Sequence, residues 1–155
     1  MLFRSATYAN FLNFMSLNVC GLRNRLEYIE FLDLINAHDI IGFQETKTDY
    51  LDNLQIEGYT LYLKHRIGAR RRSGGIGIAI RNKYVQFVTR VDDMCNYILW
   101  IRISKSLFKL DQDWYLGIVY IPPEGSKYAN VDSFHDIEQS ILHYNYTLLL
   151  VNMCH

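Results

Sequence analysis

The 155-residue sequence has no uninterrupted apolar run of the roughly eighteen residues that a membrane-spanning helix requires. The segment from Met1 to Phe14 is moderately apolar, but polar residues interrupt it and no small-residue cleavage site closes it, unlike a signal peptide. Repeats, low-complexity tracts and interdomain linkers are also missing. We therefore expect one compact domain with no membrane partner and an intracellular location, nuclear or cytoplasmic.

Cysteine is scarce. The three cysteines, Cys20, Cys95 and Cys154, are odd in number and widely spaced. This pattern argues against a disulfide framework and against a zinc site, and it favours a reducing compartment. We expect no disulfide-linked partner.

The chain also lacks net charge, since 16 basic residues balance 16 acidic ones, so it has no overall electrostatic bias toward nucleic acid. The basic residues are unevenly distributed, however, and one loop between two strand patterns carries Lys64, His65, Arg66, Arg70, Arg71 and Arg72. Such a cluster can neutralise backbone phosphates and make binding strongly dependent on salt. The alternative is the solvated tip of a hairpin.

Two short stretches are the most informative: Ser16 to Leu22 and Ile40 to Thr46 each begin as an apolar strand and stop on polar residues. Between them, apolar residues recur at helical spacing, which predicts one amphipathic helix from Leu22 to Ile35. A crossover of this length makes the two strands parallel, with their carboxyl ends at one edge of a sheet. Asn18 and Glu45 should then face one another, and their oxygens are ligand types that Mg²⁺ accepts.

The rest of the chain is dominated by strand patterns rich in β-branched and aromatic residues, followed by one helical stripe from Val131 to Ile141 and a last buried strand, Leu148 to Val151. The predicted strands are Tyr59 to Lys64, Ile76 to Ile80, Val85 to Val91, Tyr97 to Ile103 and Trp114 to Ile121. The expected fold class is α/β, a sandwich of two sheets flanked by helices.

Five elements follow one another with a characteristic spacing: Asn18 to Leu22, Gln44 to Thr46, Gly58-Tyr59, Ser73 to Ile80 and Val119 to Pro123. Together they resemble the endonuclease/exonuclease/phosphatase superfamily, the fold of DNase I and exonuclease III, and most closely the endonuclease domains of non-LTR retrotransposons. The resemblance implies a DNase I-like four-layer fold and a phosphodiesterase that uses Mg²⁺ or Mn²⁺. It implies DNA as the partner, with RNA as an alternative.

The resemblance assigns roles to three residues. Glu45 would bind the metal, Asn18 would help to position the metal or the phosphate, and Tyr120 would place its hydroxyl near the phosphate. Each has a structural alternative: Glu45 as a solvated carboxylate, Asn18 as a turn former, Tyr120 as a packing residue. Ser73-Gly74-Gly75 precedes a strand pattern, so we expect a tight turn or a close backbone approach there.

The resemblance breaks down near the carboxyl end. Where the family has Gly-Asp-Phe-Asn, this chain has Asn152-Met153-Cys154-His155, and the family's later Asp-His pair has no counterpart. We expect a truncated domain, residues 14–155, after an extension of residues 1–13, with its carboxyl-terminal part missing and with little turnover. The alternative functions are a non-catalytic nucleic-acid-binding or regulatory module and, ranked lower, a phosphatase of lipid or inositol phosphates.

Overall fold

The computed structural model describes residues 11–66, 72–92, 94–129 and 132–144, and the backbone of residues 147–151. Eight strands form two four-stranded sheets. The first sheet has the order β1-β2-β4-β3, with β1 at Phe14–Asn18, β2 at Ile40–Gln44, β3 at Tyr59–Lys64 and β4 at Ile76–Arg81. β1 and β2 are parallel neighbours, as the sequence predicted, while β4 is antiparallel to both β2 and β3.

The second sheet has the order β5-β6-β7-β8. Its strands are Val88–Val91, Ile98–Ile103, Trp114–Val119 and Thr147–Val151. β5, β6 and β7 pair antiparallel, and β8 runs parallel to β7. This parallel pair is bridged by a helix, which is the connection that parallel neighbours require.

The two sheets pack face to face because alternate residues of their strands are apolar. Ile40, Ile78 and Ile80 of the first sheet share one buried cluster with Leu99, Ile101 and Ile118 of the second. The sheets lie close together at Gly42, where an added Cβ would lie 2.4 Å from Ile118 Cδ1.

Helices cover the outer faces of both sheets. A short helix, α1 (Leu22–Arg25), precedes α2 (Ile29–Asn36). Ile35 in α2 packs in one cluster with Ile41 and Phe43 of β2. Ile137, in α3 (Ser133–Leu142), packs against Trp100, whose Nε1 donates to Ser140 Oγ at 2.8 Å. The order helix, sheet, sheet, helix gives the four layers that the sequence predicted. Among the described residues, no helix is long and apolar enough to cross a membrane.

Two elements differ from their predictions. The single helix predicted from Leu22 to Ile35 is broken into α1 and α2. After α1 the backbone N–H groups of Glu27 and Tyr28 donate to carbonyls three residues earlier instead of four, and the backbone of Tyr28 is extended. The apolar residues after this break no longer share one face with those before it, so Ile29 is exposed. The predicted strand Val85 to Val91 begins as a 3₁₀ helix, Asn82–Phe87, and only Val88–Val91 is strand. Its apolar residues looked like a strand because they cover the core between the sheets.

Candidate active site

The carboxyl ends of β1 and β2 lie side by side at one rim of the first sheet. The backbone of Asn18 pairs with that of Gln44, the residue before Glu45. The two following segments stay in contact, since Gly21 N donates to Glu45 O at 2.8 Å and Leu22 N donates to Thr46 O at 2.9 Å. The structure therefore places the two predicted metal ligands, Asn18 and Glu45, at the same rim.

The direction of the Glu45 side chain depends on its backbone. Phe43 points to the helices and Gln44 into the space between the sheets, so an extended Glu45 would point to the helices again. Its φ is 53°, in the left-handed region, and this breaks the alternation. The carboxylate turns instead toward the second sheet.

Glu45 meets Tyr120 there, the first residue after β7. The Tyr120 hydroxyl donates to Glu45 Oε1 at 3.0 Å, and Tyr120 is only 5% exposed. Burial and then the neighbouring Glu45 carboxylate raise the pKa of Tyr120 to about 12. Tyr120 therefore keeps its proton at neutral pH and remains a hydrogen-bond donor. Lys47 Nζ lies 3.9 Å from Glu45 Oε2.

Asn18 takes part in the turn that follows β1. Its Oδ1 accepts the N–H of Cys20 at 3.1 Å, which is the turn-forming role that the sequence left open. An amide oxygen has two lone pairs and can accept more than one partner. Lys47 also supports the turn, since its Nζ donates to Cys20 Sγ at 3.0 Å.

A cleft of about 140 Å³ opens beside Tyr120. Residues of β3, of the segment after it, and of the segments before β6 and after β7 line it, among them Lys64, His65, Arg66, Tyr97, Tyr120 and Tyr128. The Arg66 guanidinium lies over two rings, 5.4 Å from the centroid of Tyr120 and 4.6 Å from that of Tyr128. Arg66 is thus a cation held between two aromatic rings at the cleft wall.

The other predicted nucleic-acid contacts have different environments. Lys64 Nζ donates to the carbonyl oxygens of Cys95 and Ile98, the latter at 2.8 Å. Arg72 pairs with Asp49 at 2.7 Å and with Asp52 at 3.2 Å. The positive charges of Lys64 and Arg72 are therefore largely engaged within the protein.

Arg70 and Arg71 lie outside the described residues. Three residues near the site were not predicted: His65 was seen only as a member of the basic loop, while Lys47 and Tyr128 were overlooked. The position of Lys47, directly after Gln44-Glu45-Thr46, was a usable signal. Nothing in the sequence indicated Tyr128, because the fold brings it to the cleft from a distant part of the chain.

The ligand types at this rim can be compared with what a divalent cation requires. Across the described part of the chain, no three His, Cys, Asp or Glu side chains come together as a metal site. The site offers one carboxylate, from Glu45, and one amide oxygen, from Asn18. Mg²⁺ is commonly held by one or two carboxylates, with water and substrate phosphate completing its shell, so these two residues suit it in kind if not in number.

Comparison with known proteins bears on both the family and the fold. A family model described as "Endonuclease/Exonuclease/phosphatase family" matches residues 15–139. No curated protein sequence gave a significant match. Several solved structures share the fold, among them the catalytic domain of Xenopus laevis APE2, with a TM-score of 0.59 and 16% identity over 87% of this chain and 56% of that one.

Two other similar structures contain DNA. A 3' phosphatase, NExo, from Neisseria bound to product DNA hairpin has a TM-score of 0.54 and 17% identity, covering 90% of this chain and 56% of that chain. A D. rerio TDP2 complexed with single-strand DNA product has a TM-score of 0.54 and 12% identity, covering 89% of this chain and 58% of that chain. The present chain thus spans little more than half the length of these three structures.

Proposed function

Because the chain belongs to the endonuclease/exonuclease/phosphatase family, we propose that Glu45 and Tyr120, at the mouth of the cleft, bind a phosphodiester of DNA. The domain would be of the Mg²⁺-dependent endonuclease type, as in non-LTR retrotransposons. The observation that carries this proposal is the hydrogen bond from Tyr120 to Glu45, which joins the two sheets at the mouth of a basic and aromatic cleft.

Each residue has a distinct task in the proposed site. Glu45 and Asn18 would hold Mg²⁺ or Mn²⁺, which when bound neutralises charge that develops on the phosphate. Tyr120, protonated because its pKa is about 12, would turn its hydroxyl from Glu45 to a phosphate oxygen. Its neutral donor adds no charge repulsion toward the substrate.

DNA is the proposed substrate because two of the similar structures contain DNA and because the resemblance is to DNA endonucleases. RNA is the alternative, since both nucleic acids present the same phosphodiester to Glu45 and Tyr120. A location in the nucleus or the cytoplasm would give access to either.

We further propose that residues 1–155 bind DNA but hydrolyse it slowly. The resemblance implies a second carboxylate and a distal histidine, yet no cluster of three such groups forms around Glu45 within the described ranges. A missing general base or oxyanion donor typically costs about two to four orders of magnitude each.

A plasmid-nicking and DNA-binding comparison tests both parts. We expect slow nicking or none with Mg²⁺, and binding that Mg²⁺ strengthens in the wild type but not in Glu45→Ala. The matched control, Glu57→Ala, removes an exposed glutamate away from the rim and should behave as wild type. Robust nicking abolished by Glu45→Ala would overturn the slow-hydrolysis proposal, and DNA binding indifferent to both Glu45 and Tyr120 would overturn the site.

The second candidate is a non-catalytic nucleic-acid-binding or regulatory module. It is favoured by Arg66, a cation displayed at the cleft between two aromatic rings. This function predicts salt-dependent binding that weakens when Arg70, Arg71 and Arg72 are neutralised together, with little effect of Glu45→Ala.

A further inference from the structure

A series of hydrogen bonds between buried threonine hydroxyl groups and His65 leads from the rim to the cleft. Thr46 Oγ1 and Thr48 Oγ1 are 3.0 Å apart, and Thr48 Oγ1 lies 3.1 Å from His65 Nδ1. Both threonines are buried, at 1% and 6% exposure. Gly75 makes room for Thr46, since a Cβ there would lie 2.5 Å from Thr46 Oγ1.

The hydrogen bonds of this series have a preferred direction. If the His65 Nδ1–H donated to Thr48, and Thr48 to Thr46, the buried Thr46 hydroxyl would have no acceptor among the described residues. A buried donor without a partner loses its bond to water and gains none in return, which is unfavourable. If Thr46 donates to Thr48 and Thr48 donates to Nδ1, every group is satisfied. His65 is then the tautomer that carries its proton on Nε2.

The His65 ring is fixed on two sides. Thr48 holds Nδ1, and the ring of Tyr50 packs against it, with centroids 4.9 Å apart and planes at 70°. His65 lines the same cleft as Arg66 and Tyr120. No other hydrogen bond to the ring is found among the described residues, which leaves Nε2–H as a donor to a ligand.

The cleft suits one phosphate group. No aspartate or glutamate lines it, and Arg66 supplies a positive charge. Its volume of about 140 Å³ is below the roughly 300–1,000 Å³ of pockets that hold a whole small molecule. A cleft of this size and charge fits one anionic unit of a longer strand.

We propose that His65 and Arg66 form a subsite for the nucleic-acid phosphate next to the one bound at Glu45 and Tyr120. His65 donates its Nε2–H, Arg66 donates its guanidinium N–H groups, and Thr48 acts through His65 as a positioning residue. This inference rests on the proposed function and extends its substrate contact to a second phosphate.

Fluorescence anisotropy with a short labelled DNA duplex in Mg²⁺, over a range of salt concentrations, measures the two contacts separately. His65→Ala should weaken binding about three- to tenfold without changing the salt dependence, because a neutral donor releases no counterion. Arg66→Gln should make the slope of log K against log salt shallower by about one. The matched controls are exposed: His135→Ala on α3 and Arg102→Gln on β6.

Thr48→Val tests the positioning role with nearly unchanged side-chain volume. It should weaken DNA binding as much as His65→Ala, and the double variant should bind no more weakly than His65→Ala alone, since coupled residues are non-additive. Nitrogen NMR of wild-type His65 should show the Nε2–H tautomer, with a mixture of tautomers in Thr48→Val. The control is Thr89→Val, an exposed threonine of β5.

Additive losses, or an Nδ1–H tautomer in the wild type, would overturn the positioning role. Wild-type affinity and salt dependence in both His65→Ala and Arg66→Gln, alongside binding that still requires Glu45 and Tyr120, would refute the subsite and leave the proposed function standing. If the wild-type chain does not bind DNA, both proposals fail. Circular dichroism identifies any variant that fails to fold, and in that case the NMR result on the wild-type chain decides.

Discussion

Replacing Tyr120 with phenylalanine tests the central contact of the candidate site. The change removes only the hydroxyl that donates to Glu45 Oε1 at 3.0 Å. A hydrogen bond to a charged group contributes about 1.5–3 kcal/mol. Lys47 Nζ remains 3.9 Å from the other carboxylate oxygen, so the loss should fall at the low end. We expect Tyr120→Phe to lower the free energy of unfolding by about 1–2 kcal/mol at neutral pH.

The effect should depend on pH in a defined direction. The pKa of Tyr120 rises from 10.0 to about 12 on folding, through burial first and Glu45 second. Because the folded pKa is the higher one, this stability is complete below pH 10 and is lost as the pH rises through about 12. One pKa unit corresponds to about 1.4 kcal/mol, so the wild type should lose at most about 3 kcal/mol that Tyr120→Phe does not lose.

Urea unfolding at a series of pH values, together with thermal unfolding at neutral pH, measures this difference for both proteins. At neutral pH the melting temperature of Tyr120→Phe should be about 2–8 °C lower, given about 2–4 °C per kcal/mol for a chain of this size. The advantage of the wild type should shrink as the pH rises above 10. A difference that stays constant with pH, or no difference at neutral pH, would refute the reasoning. Tyr28→Phe, which alters an exposed tyrosine, is the matched control.

Two further predictions concern glycines. Gly75→Ala should destabilise the fold by about 2–4 kcal/mol in thermal unfolding, because it combines a φ of +86° with a Cβ 2.5 Å from Thr46 Oγ1. The control Gly58→Ala, at φ +79° with no atom within 4 Å of the added Cβ, should cost only about 1–2 kcal/mol. Equal losses in the two variants would contradict the steric argument. Gly42→Ala should lower the free energy of unfolding by about 1–3 kcal/mol, because its Cβ would lie 2.4 Å from Ile118 Cδ1. Adding Ile118→Val, which removes that methyl group, should restore part of the loss. If the losses of the two single variants simply add in the double variant, this contact is not the cause.

The sequence predicted the pairing of β1 and β2 because a short crossover leaves little choice of topology. It also predicted most strand positions, since apolar alternation is a local signal. The break after α1 was missed for a physical reason. The stripe from Leu22 to Ile35 has one helical period, but this period does not report the backbone bonds. The backbone tightens at Tyr28, and Arg25 in α1 also bonds to the segment after β1, since its Nε donates to Val19 O at 3.0 Å.

The basic loop shows a second reason why a local pattern is insufficient. In the sequence, Lys64, Arg66 and Arg72 are equivalent neighbours in one charged segment. In the structure, Lys64 binds the carbonyl oxygens of Cys95 and Ile98, Arg72 binds Asp49 and Asp52, and Arg66 alone of these three lies over the rings of Tyr120 and Tyr128. These partners are distant in sequence, so charge counting could not separate a structural cation from one that faces the cleft.

Backbone strain at the rim supports a functional role that the side chains alone would not establish. Of the four described residues other than glycine with positive φ, three lie here: Cys20 at 48°, Glu45 at 53° and Lys47 at 50°. Each costs about 1–2 kcal/mol relative to a right-handed backbone. Hydrogen bonds offset this cost, such as that from Lys47 N to Gly74 O at 2.8 Å. Extended backbone, as in β1 up to Asn18 and in β2 up to Gln44, would have been enough to cover the core. The strained backbone instead turns Glu45 to Tyr120, and strain held in place by its surroundings is typical of sites whose geometry must be set before the ligand arrives.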